Sequence, residues 1–220
     1  MSKLNAEADY FIISDAHVGC HNCMDLCNYD KLLPFLKEVL EKTKATLILN
    51  GDFFEYTKER KSKVRKKNLE IFEILEKIEN KERLIRIKGN HDRDGMYEKT
   101  LINGDILVFH GDTFGNHTSI FPFFNLFLNW SVAFTEKLFK MNINDILKKC
   151  TGYDRKKARK DKMRLKAKEF LEKHPEYKTL IVGHSHTPEA DENYFNSGCF
   201  VNKESDYIEI SGEKITLKTY

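Results

Sequence analysis

The chain has 220 residues, 40% hydrophobic and 32% charged, with a formal net charge of +3. That length and balance suit one sizeable α/β core and exclude a low-complexity chain. Five cysteines (Cys20, Cys23, Cys27, Cys150 and Cys199), odd in number and with three bunched together, argue for free thiols or a metal rather than a disulfide framework.

Nothing in MSKLNAEADYFIIS has the apolar core of a signal peptide, so a cytoplasmic location is the default. YFIIS (10–14) is apolar and β-branched enough for a buried strand, and it runs into Asp15-Ala16-His17. GCHNCMDLC follows. Its Cys20, Cys23 and Cys27, with His21, offer an extra zinc site, but no second C-x-x-C completes the motif, so reduced thiols in a loop are the default. LLPFLKEVLEK repeats apolar residues at helical spacing, and the strand TLILN (46–50) then runs into Gly51-Asp52. KERKSKVRKK (58–67) holds seven basic residues and one acidic. A second amphipathic helix, NLEIFEILEKIEN, leads to the strand RLIRIKG (83–89) and to Asn90-His91-Asp92. DILVFHG (105–111) gives His110-Gly111-Asp112.

The stretch 114–176 breaks this rhythm. Eleven of the fifteen positions from Ile120 to Phe134 are apolar, many of them aromatic, yet Pro122, Asn125, Asn129 and Ser131 interrupt the run and argue against a membrane span. A basic segment follows, with twelve basic and four acidic residues over 148–173; in it Met163, Ala167, Phe170 and Leu171 share one helical face. The reading is a single domain over 1–220 with a helical insertion at about 114–176, packed over one end of the sheet. TLIVGH (179–184) brings His184-Ser185-His186, and YFNSG, DYIEIS and KITLKTY predict a small antiparallel run. Strand–helix alternation followed by strands predicts a layered α/β fold.

Five strands thus end in polar residues, and five of the eight histidines lie at those ends. Strand ends of one polarity gather at one edge of a layered α/β fold, where ligands bind. One such end is more often a turn or a helix cap; five in chain order point to a site. Imidazole, carboxylate and amide oxygen without thiolate suit Mn²⁺, Fe, Zn²⁺ or Ni²⁺. Four His, two Asp and one Asn exceed the needs of one metal and serve two if a carboxylate is shared.

On these residues the sequence resembles the calcineurin-like metallophosphoesterases. The pattern D-x-H, G-D, G-N-H-D, a later H and G-H-x-H stands as Asp15-x-His17, Gly51-Asp52, Gly89-Asn90-His91-Asp92, His110 and Gly183-His184-Ser185-His186. The resemblance implies a four-layer double β-sandwich flanked by helices, and two divalent metals with Mn²⁺ foremost. One would be held by Asp15, His17, Asp52 and His186, the other by Asp52, Asn90, His110 and His184. Water between them would attack phosphorus in line. It implies that His91 is not a ligand but protonates the leaving oxygen or stabilises the transition state, with Asp92 hydrogen-bonded to His91 as its orienting partner; a helix-cap or turn role is the other reading of Asp92. Asp112 has two readings, an acceptor behind His110 or a turn residue.

The insertion and size are similar to UDP-2,3-diacylglucosamine pyrophosphatases. That branch implies a lipid-linked substrate and a cap touching the inner membrane surface. Those enzymes carry Arg at the third block and after the final motif histidine, where His91 and Thr187 stand here. A nuclease or cyclic-nucleotide phosphodiesterase is the alternative, the basic blocks suiting nucleic acid. A non-catalytic scaffold is the alternative of another class; proteins of the fold that became scaffolds tend to lose the histidine that stands here as His91.

Overall fold

The computed structural model describes residues 4–21, 25–92, 97–114 and 155–220, with the side chains of the last stretch from Lys157 onward. Elements are numbered over these residues. Two compact units emerge, Met1–Asp112 with Ala167–Tyr220, and Thr113–Lys166.

The first unit holds two five-stranded sheets. In one the order is β10 (Lys214–Thr219), β9 (Asp206–Ser211), β1 (Tyr10–Ile13), β2 (Thr46–Asn50), β3 (Leu84–Ile87). In the other it is β4 (Lys99–Ile102), β5 (Ile106–Phe109), β6 (Thr179–Val182), β8 (Tyr194–Asn196), β7 (Glu189–Asp191). β1, β2 and β3 run parallel, in a register that sets Ile12 beside Ile48 and Ile48 beside Ile85. β5, β6 and β8 are parallel too. Each parallel set therefore delivers its C-terminal ends to one edge.

The central strands are apolar on both faces because both faces are covered. Phe11, Ile13, Leu47 and Leu49 pack with Leu32, Phe35 and Leu36 of α1 (Tyr29–Lys42) and with Ile71, Ile74 and Leu75 of α3 (Leu69–Glu79). The alternate residues, Ile12, Ile48, Ile208 and Ile210, meet Ile106, Val108, Ile181 and Phe195 of the other sheet. Each such side chain contributes about 1.5–3 kcal/mol by leaving water. The double sandwich flanked by helices is the architecture expected from the sequence.

Three features depart from that reading. β4 was not anticipated; its four residues KTLI pair antiparallel with β5. The final strands do not form one antiparallel run: β9 and β10 do, but YFN is β8, parallel to β6 in the second sheet. The loop after β8 crosses between sheets and turns at Gly198, whose φ of 71° favours glycine. The basic block 58–67 contributes a short helix, α2 (Lys61–Lys67), with only Val64 buried.

Of the expected insertion, the aromatic run 120–134 lies outside the described residues, as does Cys150. The helix α4 (Arg155–Lys173) buries Met163 and Ala167, and Phe170 packs against Phe109 with ring centres 5.8 Å apart. No helix among the described residues is long and apolar enough to cross a membrane.

Candidate metal centre

The polar residues at the ends of β1, β2, β3, β5 and β6 converge. They do so through an unusual backbone: Asp15, His17, Asp52, His184 and His186 all have φ between 48° and 63°. These are five of the nine non-glycine residues with positive φ among the described residues, and such conformations collect where function holds them. Glycines make the convergence possible. A Cβ on Gly51, whose φ is 80°, would lie 2.5 Å from the His110 ring; one on Gly183 would lie 2.4 Å from Ser14 Oγ and 2.8 Å from Asp15 Oδ2.

One group of donors is Asp15, His17 and His186. Asp15 Oδ2 accepts bonds from Ser14 Oγ–H and from the His184 N–H at 2.8 Å. Its Oδ1 is left buried with no hydrogen-bond partner, 3.2 Å from His186 Nε2 and 4.0 Å from His17 Nε2. The two Nε2 atoms are 3.3 Å apart. His17 Nδ1–H donates to Glu55 Oε2 at 3.2 Å, which leaves Nε2 with a lone pair aimed at its neighbours. Three lone-pair donors at such spacing match the edges of a coordination polyhedron with bonds of about 2.0–2.2 Å.

The other group is Asp52, His110 and His184. His110 Nδ1–H donates to the Asn50 carbonyl at 2.9 Å. That fixes the tautomer and points Nε2, buried and without a hydrogen-bond partner, toward Asp52 Oδ2 at 3.2 Å. Asp52 Oδ1 accepts the His91 N–H at 2.7 Å. Asn90 Oδ1 is likewise buried and partnerless. All seven residues expected as ligands therefore lie in the first unit, six of them in these two groups.

The electrostatics suit a cation. Burial alone would push the Asp15 carboxyl up; the imidazoles of His186, His110 and His17 outweigh it and hold it well below the ordinary range. Asp52 is also lowered, His110 prevailing over burial and the nearby charge of Asp15. Against its own burial, His110 is raised to about 10 by Asp52 and Asp15. Buried negative charge concentrated in this way calls for positive charge between the donors.

Of the two readings of Asp92, the structure favours the turn role over the role beside His91. Its carboxylate is not the partner of His91. It accepts four backbone N–H groups, those of Asp52 (2.8 Å), Phe53 (2.6 Å), Phe54 (3.1 Å) and Gly89 (3.1 Å), and so clamps the turn after β2 against the turn after β3. The reason is local: the chain leaving β2 presents consecutive unpaired N–H groups, and Asp92 is the buried acceptor they meet. Burial pushes its carboxyl up to about 7, against these bonds. The partner of His91 is Glu55, whose Oε1 lies 2.9 Å from His91 Nδ1. Glu55 thus holds His17 with one oxygen and His91 with the other. Burial would raise its carboxyl, but the two imidazoles hold it well below the ordinary range. His91 in turn is raised: burial lowers it, and the Glu55 carboxylate more than compensates. Similarly, the Asn50 carbonyl stands behind His110 where Asp112 was one candidate; Asp112 opens a short 3₁₀ turn, Asp112–Phe114.

Glu55 went unnoticed in the sequence because Phe53 and Phe54 separate it from Asp52 and nothing marks it as more than a loop acid; the G-D-x-x-E spacing is the signal that was available. Cys20, Cys27 and Cys199 are free thiols, and among the described residues no candidate metal group contains a cysteine. His21 instead bonds Asn68 Oδ1 at 2.9 Å and stacks on Tyr29. Cys23 lies outside the described residues.

Comparison with known proteins identifies the family. A family described as calcineurin-like phosphoesterase matches residues 10–197. No curated protein matches. Among solved structures, a dimetal phosphatase from Danio rerio is similar at a TM-score of 0.49 and 9% identity, covering 98% of this chain and 96% of its own. With most of its length matched, this chain belongs to the calcineurin-like phosphoesterase family and is a metal-dependent phosphoester hydrolase.

Proposed function

We propose that the protein hydrolyses a phosphodiester or pyrophosphate bond of a nucleotide-containing or lipid-linked anion at a two-metal centre. The observation that carries this is the set of buried, partnerless donor atoms, Asp15 Oδ1, Asn90 Oδ1 and His110 Nε2, contributed by three different strand ends. In a folded core such atoms are costly unless something binds them. Asp15, His17 and His186 would hold one ion and Asn90, His110 and His184 the other, with Asp52 shared. The donor set, with no thiolate, suits Mn²⁺, Fe, Zn²⁺ or Ni²⁺, and the family resemblance puts Mn²⁺ foremost. When bound, two such ions acidify water and neutralise phosphoryl oxygens as charge builds.

The chain's own residues do the rest. The His91 side chain is 28% exposed, open to a substrate, while Glu55 fixes its Nδ1 edge. That leaves Nε2 to meet the leaving oxygen. The Glu55 carboxylate shifts the ring toward its protonated form, the form that can deliver a proton. Ser14 and the His184 N–H hold Asp15 with one oxygen committed and one directed to the site.

The test is a panel with Mn²⁺ that includes bis-p-nitrophenyl phosphate, p-nitrophenyl phosphate, dinucleotides and UDP-linked lipids. Turnover of a diester or pyrophosphate above the monoester supports the reading. Turnover of none contradicts it and favours the scaffold alternative. Liposome binding tests the peripheral membrane contact that the lipid-linked reading requires.

A further inference from the structure

The loop between β8 and β9 crosses from one sheet to the other against the first donor group. Ser197, Gly198, Cys199 and Phe200 are buried along it. Phe200 N–H donates to the Asp15 carbonyl at 3.3 Å, and Cys199 Sγ lies 3.7 Å from the His186 carbonyl. The Gly198 carbonyl and Ser197 Oγ lie 3.2 Å and 2.7 Å from Ser14 Oγ, which itself donates to Asp15 Oδ2. Among the described residues, none of the four bonds to Asp52, Asn90, His110 or His184, so the loop backs one metal position and not the other. Asn196 fastens the loop in place: its Nδ2–H donates to the Gly183 carbonyl at 2.8 Å and its Oδ1 accepts the Gly198 N–H at 3.1 Å.

The hydrogen-bond directions of the two serines follow from their neighbours. Both residues are fully buried. Ser14 Oγ carries one proton and has Asp15 Oδ2, the Gly198 carbonyl and Ser197 Oγ around it. The charged carboxylate is the strongest of these acceptors and takes the proton. Ser14 Oγ then accepts from Ser197, whose hydroxyl supplies the proton of the 2.7 Å contact. The competing acceptor for that proton, the Val182 carbonyl at 3.2 Å, already takes the Ser197 N–H at 2.9 Å. The bonds therefore run one way, Ser197 to Ser14 to Asp15, and each polarises the next. Without the Ser197 hydroxyl, Ser14 is free to turn toward the Gly198 carbonyl, and Asp15 Oδ2 then keeps only the His184 N–H.

We propose that Ser197 is a positioning residue for the metal centre. Its hydroxyl locks Ser14, and Ser14 locks the Asp15 carboxylate so that Oδ1, buried and without a hydrogen-bond partner, faces the first ion together with His17 and His186. Ser197 acts from the end of β8 on the end of β1, across the boundary between the sheets. The role is selective for one position. The second group has supports of its own, the Asn50 carbonyl behind His110 and the His91 N–H on Asp52 Oδ1. The assignment rests on the two-metal reading and adds to it a residue that touches neither ion.

The test is a calorimetric Mn²⁺ titration of the full chain and of the variants Ser197→Ala, Ser14→Ala and the two combined. Ser197→Ala should weaken one of two binding events about tenfold and leave the other unchanged. Manganese-edge peaks from crystals of that variant at limiting Mn²⁺ should place the loss against Asp15, His17 and His186. In the Ser14→Ala background, adding Ser197→Ala should change affinity by less than about twofold, because the relay is already cut. Ser197→Cys keeps the volume but donates weakly, so it should weaken the same event, which separates the hydroxyl from a packing effect. In EDTA the melting temperature of Ser197→Ala should fall by no more than about 4 °C. Unchanged affinity in Ser197→Ala, equal weakening of both events, wild-type affinity in Ser197→Cys, or full additivity with Ser14→Ala would each overturn the relay while the two-metal reading stands. A wild-type protein that binds fewer than two Mn²⁺ ions would overturn both.

Discussion

Replacing Asp92 by Asn separates two accounts of a residue that the sequence places beside His91. In the structure, Oδ1 accepts the N–H groups of Asp52 and Gly89, and Oδ2 accepts those of Phe53 and Phe54. An amide can serve only one of these pairs; its NH₂ would face the other as donor against donor. At a pH above the carboxyl's own value of about 7, where it is ionised, a hydrogen bond to a charged acceptor contributes about 1.5–3 kcal/mol, so losing two should cost about 3–6 kcal/mol. At about 2–4 °C per kcal/mol for a chain of this size, the melting temperature should fall by about 6–24 °C. Because the same N–H groups fix the backbone that carries Asp52, bound metal should fall as well. Thermal melting by circular dichroism and metal analysis of the purified variant check both. A variant that melts within about 2 °C of wild type, keeps its metal and loses only kcat would refute the clamp and make Asp92 the partner of His91.

His91→Ala should leave metal content and melting temperature intact and lower kcat by roughly 10²–10⁴-fold, read on bis-p-nitrophenyl phosphate; parallel loss of metal would move His91 into the coordination shell. Glu55→Gln removes the charge that raises His91, so His91 should lose its proton at lower pH; the alkaline limb of the kcat profile should shift to lower pH and kcat should drop about 10–100-fold. An unshifted limb would disconnect Glu55 from His91. Gly183→Ala drives a Cβ into Ser14 and the Asp15 carboxylate, at 2.4 and 2.8 Å, and should abolish binding at the first metal position by calorimetric Mn²⁺ titration, whereas two undisturbed binding events would show that the packing there is loose.

Much of this site was legible because two simple signals coincide. Apolar runs such as TLILN and TLIV show where strands lie, and the polar residues that break them show where strands end. Parallel pairing then brings Asp15, Asp52 and Asn90 to one edge without further information. What escaped notice depends on tertiary neighbours. Asp92 and Glu55 are both acids near His91 in space, and adjacency along the chain favours the wrong one. The side chain of a residue next to His91 points back to the turn behind it, while Glu55, thirty-six residues away in sequence, approaches the ring from the facing loop. YFN and DYIEIS look alike as strands, and only the crossing at Gly198 sends them to different sheets. β4 is four residues with alternating exposure, too short for periodicity to announce.

The most direct test is an anomalous-diffraction measurement at the manganese edge on crystals grown with excess Mn²⁺. Two peaks should appear about 3.5–4 Å apart, one against Asp15, His17 and His186, the other against Asn90, His110 and His184, with Asp52 between. A single peak, or ions bound away from these side chains, would contradict the two-metal centre.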